Sequence, residues 1–192
     1  MNLSGVELLN EDMPAILKRL LDERALPPEQ LELEITETSL VPDNPVVVGV
    51  LNDFSSLGVS LSLDDFGTGY TSFNQLFLYP ASCLKIDREF IRDWLSQRAE
   101  PAKIIEVILN LARIYGLRVV AEGVETKEQF SHLQKVGCDW VQGYWVSSVV
   151  DRPALVDLLR RQGPRQSITV DRDIGDVATG QPRELPGISG DA

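Results

Sequence analysis

The chain has 192 residues, 43% hydrophobic and 24% charged, and carries a formal net charge of −11 at pH 7. That composition belongs to an ordinary globular domain with a substantial core. So acidic a balance excludes broad electrostatic attachment to DNA, RNA or anionic lipid, which needs a basic patch, and an anionic substrate would have to be met by metal ions or a few placed cations.

No apolar run approaches the roughly 18 residues of a membrane span, and no basic stretch leads into a hydrophobic one at the N-terminus, so a cytoplasmic location is expected. Cys83 and Cys138 lie in apolar surroundings without CxxC spacing and read as reduced core thiols.

Met1 to Ser4 reads as the end of a strand, with Asn2 and Ser4 flanking Leu3. Asp12 is placed to cap a helix running to Arg24, with Ile16, Leu17, Leu20 and Leu21 as its apolar stripe and Pro27-Pro28 as its stop. Leu31 to Thr36 alternates Leu31, Leu33 and Ile35 against Glu32, Glu34 and Thr36, a strand pattern. A helix over about residues 45–57 follows.

Val59 to Asp64 is the next strand, Val59, Leu61 and Leu63 alternating with Ser60, Ser62 and Asp64. It ends in the pair Asp64-Asp65, followed by Phe66-Gly67-Thr68-Gly69, where glycines permit a sharp turn. Taken alone, such a pair is an ordinary solvated turn. Ser72 to Leu78 reads as a helical turn, Cys83 to Asp87 as a strand, and a short helix starts at Arg88. A longer helix spans about 101–115, with Ile104, Ile108 and Leu111 at helical spacing and Gly116 closing it.

Leu117 to Glu122 is an apolar strand, Thr126 and Gln129 form a capping box, and Asp139 to Gly143 ends a sixth strand. Asp151-Arg152-Pro153 starts a last helix, with Leu155, Leu158 and Leu159 expected to pack inward. Residues 1–162 read as one domain. From Gly163 to Ala192 apolar periodicity is lost, and a disordered tail is expected.

Strands alternating with helices predict an α/β fold with a parallel sheet. Asn2, Glu34, Asp64, Lys85, Glu122 and Gln142 each stand at a strand's C-terminal end, opposite in parity to its apolar residues. Polar ends facing inward on successive strands describe the mouth of a barrel. Six strands fall short of the roughly eight that close one, so the expected fold is a TIM-like (β/α) barrel lacking about two N-terminal strands.

Six blocks in this order, Asn2-Leu3-Ser4, Glu34-Ile35-Thr36-Glu37, Asp64 to Tyr70, Leu84-Lys85-Ile86-Asp87, Ala121 to Thr126 and Val141-Gln142-Gly143-Tyr144, resemble the EAL domain family of cyclic-di-GMP phosphodiesterases. The resemblance covers about residues 2–162. It implies hydrolysis of cyclic-di-GMP to linear pGpG at a two-metal site in bacterial second-messenger signalling. It further implies Asn2, Glu34, Asp64, Asp65 and Glu122 as ligands of two Mg²⁺ or Mn²⁺ ions, an oxygen donor set suited to hard divalent cations. Lys85 and Glu122 resemble the family's catalytic lysine and acid. Asp87, Glu125 and Gln142 resemble substrate-side or supporting groups, and Glu37, Gly67 and Gly69 resemble the supports of a loop that couples metal binding to dimer contacts.

Seen alone, Lys85 is a snorkelling lysine and Gln142 a capped polar group. His132 is expected on the surface and Trp140 and Trp145 in the core or at the rim, none with a catalytic role. Two features depart from the family. The Glu-Ala-Leu strand that gives it its name, and supplies a ligating glutamate, would lie before Met1, and Ser147-Ser148 stands where a proline usually follows the serine. Three readings therefore stay open: a phosphodiesterase whose N-terminal part lies outside this sequence, a non-catalytic module that binds cyclic-di-GMP or a protein, and a remnant that does not fold stably.

Overall fold

The computed structural model describes residues 1–40, 44–67, 78–94 and 99–162. The helical turn expected over Ser72 to Leu78, all but Leu78, together with Gly69 and the tail expected from Gly163, lies outside the described residues.

The elements run β1 (Asn2–Leu3), α1 (Gly5–Leu8), α2 (Met13–Arg24), β2 (Glu32–Thr36), α3 (Pro45–Ser56), β3 (Ser60–Phe66), β4 (Cys83–Ile86), α4 (Arg88–Trp94), α5 (Ala99–Tyr115), β5 (Arg118–Ala121), α6 (Lys127–Val136), β6 (Trp140–Val141) and α7 (Arg152–Gln162). The strands form a six-stranded sheet in sequence order, every neighbouring pair parallel. This is the expected α/β arrangement, part of a TIM-like barrel: each strand hands over to the next without a jump, and among the described residues β1 and β6 are its two edges. No described helix is long and apolar enough to cross a membrane.

Alternation divides the strand residues between two environments. Leu33, Ile35, Leu61, Leu63, Leu84, Ile86, Val119 and Ala121 are buried on the face covered by helices, together with Val47, Val50, Leu51 and Phe54 of α3. The opposite parity carries Glu34, Ser62, Asp64 and Lys85, and it is there that the polar groups gather. Ser62 is fully buried and its hydroxyl donates to the Leu33 carbonyl across the ladder.

Several local expectations need correction. Asp12 precedes α2, but its side chain makes no capping hydrogen bond and its backbone is already helical; instead its N–H donates to Asn10 Oδ1. Leu20 is exposed, leaving Leu17 and Leu21 as the buried stripe. α2 ends at Arg24 as expected, though it is Ala25 in the left-handed region (φ 49°), ahead of the prolines, that closes it. In α5 the buried stripe is Ile105, Ile108, Leu109 and Ala112, whereas Ile104 is 40% exposed. Leu155 and Leu159 of α7 are 44% and 54% exposed, because no described element covers that face. A further helix, α1, is held by a capping box between Ser4 and Glu7, whose carboxylate accepts both the Ser4 N–H and its hydroxyl. Both cysteines are free, Cys83 buried and Cys138 half-buried, and burial pushes their thiols up to about 12 and about 11.

Candidate active site

The register of β3 against β4 creates the site. Leu63 pairs with Leu84 and Phe66 with Ile86, so Asp64 and Asp65 together face the single residue Lys85. Two residues against one is a β-bulge, which bends a strand and re-aims its side chains. Asp65 is accordingly left-handed (φ 54°), its N–H held by Asp64 Oδ1 at 3.1 Å. The strand therefore continues through both acids to Phe66 rather than turning at them.

Lys85 is 5% exposed and is surrounded by carboxylates from three other segments of chain. Its Nζ lies 3.1 Å from Glu34 Oε1 on β2, 3.2 Å from Asp64 Oδ1 on β3 and 2.6 Å from Glu122 Oε1 just beyond β5. Glu122 is delivered by a backbone bond from its N–H to the Ile86 carbonyl, directly beside Lys85. Glu122 Oε1 is buried; its closeness to Nζ makes a charge contact whose direction does not complete a hydrogen bond, and among the described residues it has no other partner.

Burial alone would lower the Lys85 pKa, but the contact with Glu122, followed by Glu34 and Asp64, more than reverses this and holds the ammonium above its ordinary range. For Glu122 burial dominates: it raises the carboxyl above the ordinary range against the opposing pull of Lys85. One ammonium against three carboxylates leaves the cluster formally negative.

A second acidic pair sits beside the first. Burial, the Asp64 charge and a hydrogen bond with Asp87 push Asp65 above the ordinary carboxylate range. Asp87 Oδ1 in turn accepts the Glu89 N–H at the start of α4. Glu37, only 4% exposed, accepts the Gly67 N–H at 3.0 Å and so fixes the residue at which the chain leaves β3.

The other expected residues are placed less closely. Asn2 is opposite Glu34 in register with an exposed side chain. Glu125 and Gln142 are exposed on neighbouring turns. Their backbones are firmly held: the Glu125 N–H donates to Gln129 Oε1, and the Gln142 carbonyl accepts from Val124. His132 is exposed as expected. Trp140 and Trp145 are rim residues, 43% and 44% exposed, Trp140 stacking under the Arg118 guanidinium at 4.6 Å and Trp145 lying 6.4 Å from the Phe130 ring.

The donor chemistry of Asn2, Glu34, Asp64, Asp65 and Glu122 is all oxygen and fits a hard divalent cation. As they stand, no three of the described His, Cys, Asp and Glu side chains form a metal-holding group, and Glu34, Asp64 and Glu122 lie against Lys85.

This constellation, on successive parallel strands, coincides with a match of the family model for the EAL domain over residues 1–148. The chain belongs to the EAL domain family. Cyclic di-GMP phosphodiesterase NbdA of Pseudomonas aeruginosa is 38% identical over 159 residues, 83% of this chain and 20% of that protein. The MucR phosphodiesterase, solved as a c-di-GMP complex, superposes with a TM-score of 0.75 at 37% identity, covering 80% of this chain and 62% of that one. Klebsiella pneumoniae BlrP1, solved as a calcium/cyclic-di-GMP complex, gives a TM-score of 0.68 at 32% identity over 74% of this chain and 36% of that one. The chain thus spans about a fifth of the length of the curated EAL relatives it matches.

The bulge at Asp64-Asp65 was not readable from the motif, because alternation stops being informative where two residues oppose one. The Gln129 contact to Glu125 was half readable: the Thr126-Gln129 spacing announces a cap, but not what else the amide touches.

Proposed function

We propose that this EAL domain takes part in hydrolysing cyclic-di-GMP to linear pGpG, in a cytoplasmic setting. The observation that carries the reading is the Lys85 ammonium within 3.2 Å of Glu34, Asp64 and Glu122 at the C-terminal ends of adjacent strands, the face on which barrels of this type place their chemistry. The family membership and the named phosphodiesterases among its relatives support it.

Asn2, Glu34, Asp64, Asp65 and Glu122 would hold the Mg²⁺ or Mn²⁺ ions, and the excess negative charge of the cluster is a reason for cations to enter it. When bound, such ions supply Lewis acidity toward the phosphate and acidify a water. Lys85 then orients the attacking water and offsets charge building on the phosphate oxygens. Glu122, 2.6 Å from the Lys85 ammonium, is placed to accept the proton that the water gives up. Glu125 and Gln142, exposed at the rim, would contact the nucleotide, Asp87 would orient Asp65, and Glu37 with Gly67 would hold the end of β3. The domain is assigned to residues 1–162, and homodimer formation is part of the reading.

A second reading is a non-catalytic module binding cyclic-di-GMP or a protein. The contacts of Lys85 favour it, because Glu34, Asp64 and Glu122 already have a cation partner in its ammonium. Incubating the purified chain with cyclic-di-GMP and Mn²⁺, and following pGpG by chromatography, decides between them. Product that vanishes in Asp64→Ala supports catalysis; folded protein that binds the dinucleotide without product supports the module.

A further inference from the structure

The turn from Glu122 to Thr126 is built with more restraint than a strand-to-helix connection requires. On one side the Glu122 N–H is bonded to the Ile86 carbonyl, and on another Val124 exchanges backbone bonds with Gln142 and Trp145. Gly143 packs so closely here that a Cβ would clash with the Val124 backbone. Gly123 is left-handed (φ 68°), and a Cβ on it would lie 2.5 Å from Arg88 Cβ.

The third side is a side chain. Gln129 is 7% exposed, and its Oε1 accepts two backbone N–H groups of the turn, Glu125 at 2.8 Å and Thr126 at 3.0 Å. Its Nε2 donates to the Ile91 carbonyl in α4 at 3.3 Å. The capping box needs only the contact to Thr126. The additional bonds reach backward to the turn that carries Glu122 and sideways to the helix that follows Lys85 on β4.

We infer that Gln129 is a positioning residue: it ties the Glu122–Glu125 turn to α4 and thereby sets where Glu122 stands relative to Lys85. The amide is suited to this because its oxygen accepts from the turn while its NH₂ donates to the helix, which an ionised carboxylate of the same length cannot do. Its kinetic consequence rests on the phosphodiesterase reading above; its structural consequence does not.

The Lys85 ammonium, buried among its carboxylates, is a reporter independent of turnover, observable as a ¹⁵N-labelled side-chain resonance and assigned by its loss in Lys85→Met. Gln129→Ala is expected to shift or broaden that resonance. Where pGpG formation is measurable, it should fall at least about tenfold through kcat, with KM changed by less than about twofold, as expected for lost orientation of a reacting group. Gln129→Glu keeps both acceptor contacts but replaces the donation to Ile91 by a charged oxygen facing that carbonyl, so it too is expected to move the resonance, and it carries the test alone if Gln129→Ala does not fold. A Lys85 resonance unmoved in the folded variants, with only a lowered melting temperature, makes Gln129 a helix cap and overturns the inference. A wild-type chain without turnover removes the catalytic reading and leaves the resonance to decide this one.

Discussion

Lys85 on β4 and Glu122 just past β5 meet at 2.6 Å, and the same ammonium serves Glu34 and Asp64. Removing the cation while leaving the acids is the costly change, because it strands buried like charges. Lys85→Met should lower stability by about 3–5 kcal/mol at neutral pH. The sign of the pH dependence follows from the shifts. Lys85, held above its ordinary range, contributes stability that is present below the unfolded lysine pKa and lost as pH rises through the folded one. Glu122, also raised, contributes stability present below the unfolded carboxylate pKa and lost as pH rises through its folded value. Without Lys85 the Glu122 carboxyl loses the pull that opposes its burial, so the deficit of Lys85→Met should shrink as pH falls from 8 toward 4. Urea unfolding at both ends of that range checks it, and an equal deficit at both would mean that the acids do not feel the ammonium.

Glu37 and Gly67 test the support beneath β3. The Gly67 N–H is bound by a nearly buried carboxylate, its backbone is left-handed (φ 97°), and a Cβ would press on the Phe90 ring at 3.2 Å. Gly67→Ala should therefore cost about 1–3 kcal/mol, combining an unfavourable φ with a crowded ring. Glu37→Gln retains an acceptor and should cost less than Glu37→Ala, which leaves the Gly67 N–H without this partner. Equal melting temperatures for the two Glu37 variants would show that the bond to Gly67 contributes nothing.

Much of this architecture is legible in the chain because strand parity and glycine placement are local. Leu33 and Ile35 against Glu34, or Leu84 and Ile86 against Lys85, announce a face for the helices and a face for polar groups, and those polar ends are the ones that converge. The helix faces were less legible. In α5 apolar residues occur on both Ile104 and Ile105, so spacing alone fits two stripes, and only packing chooses the one containing Ile105. In α7 the pattern is a true amphipathic stripe, but a stripe states a capacity to be covered and names no cover. Asp65 was hidden for a different reason: whether two adjacent acids alternate or share one side of a bulge depends on the register of β4.

The choice of stripe in α5 gives a direct comparison. Ile105 is fully buried and Ile104 is 40% exposed. Truncating the first leaves a cavity in a packed core, whereas truncating the second mainly removes partly hydrated surface. Ile105→Ala should cost about 2–5 kcal/mol, and Ile104→Ala less than about 1 kcal/mol. Chemical denaturation of the two variants measures both, and the reverse order would return the stripe to the one suggested by spacing.

The balance of charge at Lys85 makes divalent ions the last lever. Three carboxylates around one ammonium, with Asp65 and Asp87 adjacent, retain excess negative charge, so an ion that enters is held by the folded state and not by the unfolded chain. Binding of that kind adds about 2.7 kcal/mol of stability at a free concentration about a hundred times Kd. Mn²⁺ should therefore raise the melting temperature in a saturable way, and Asp64→Asn, which removes one carboxylate charge from the centre of the cluster, should abolish most of the rise. Thermal unfolding across a Mn²⁺ titration, with Ca²⁺ as a second hard cation and matched ionic strength, separates site binding from screening. An equal rise in Asp64→Asn would place the ion elsewhere. No rise in the wild type would mean that Lys85 satisfies the acids well enough to keep cations out, which is the behaviour expected of a module rather than a metal-dependent hydrolase.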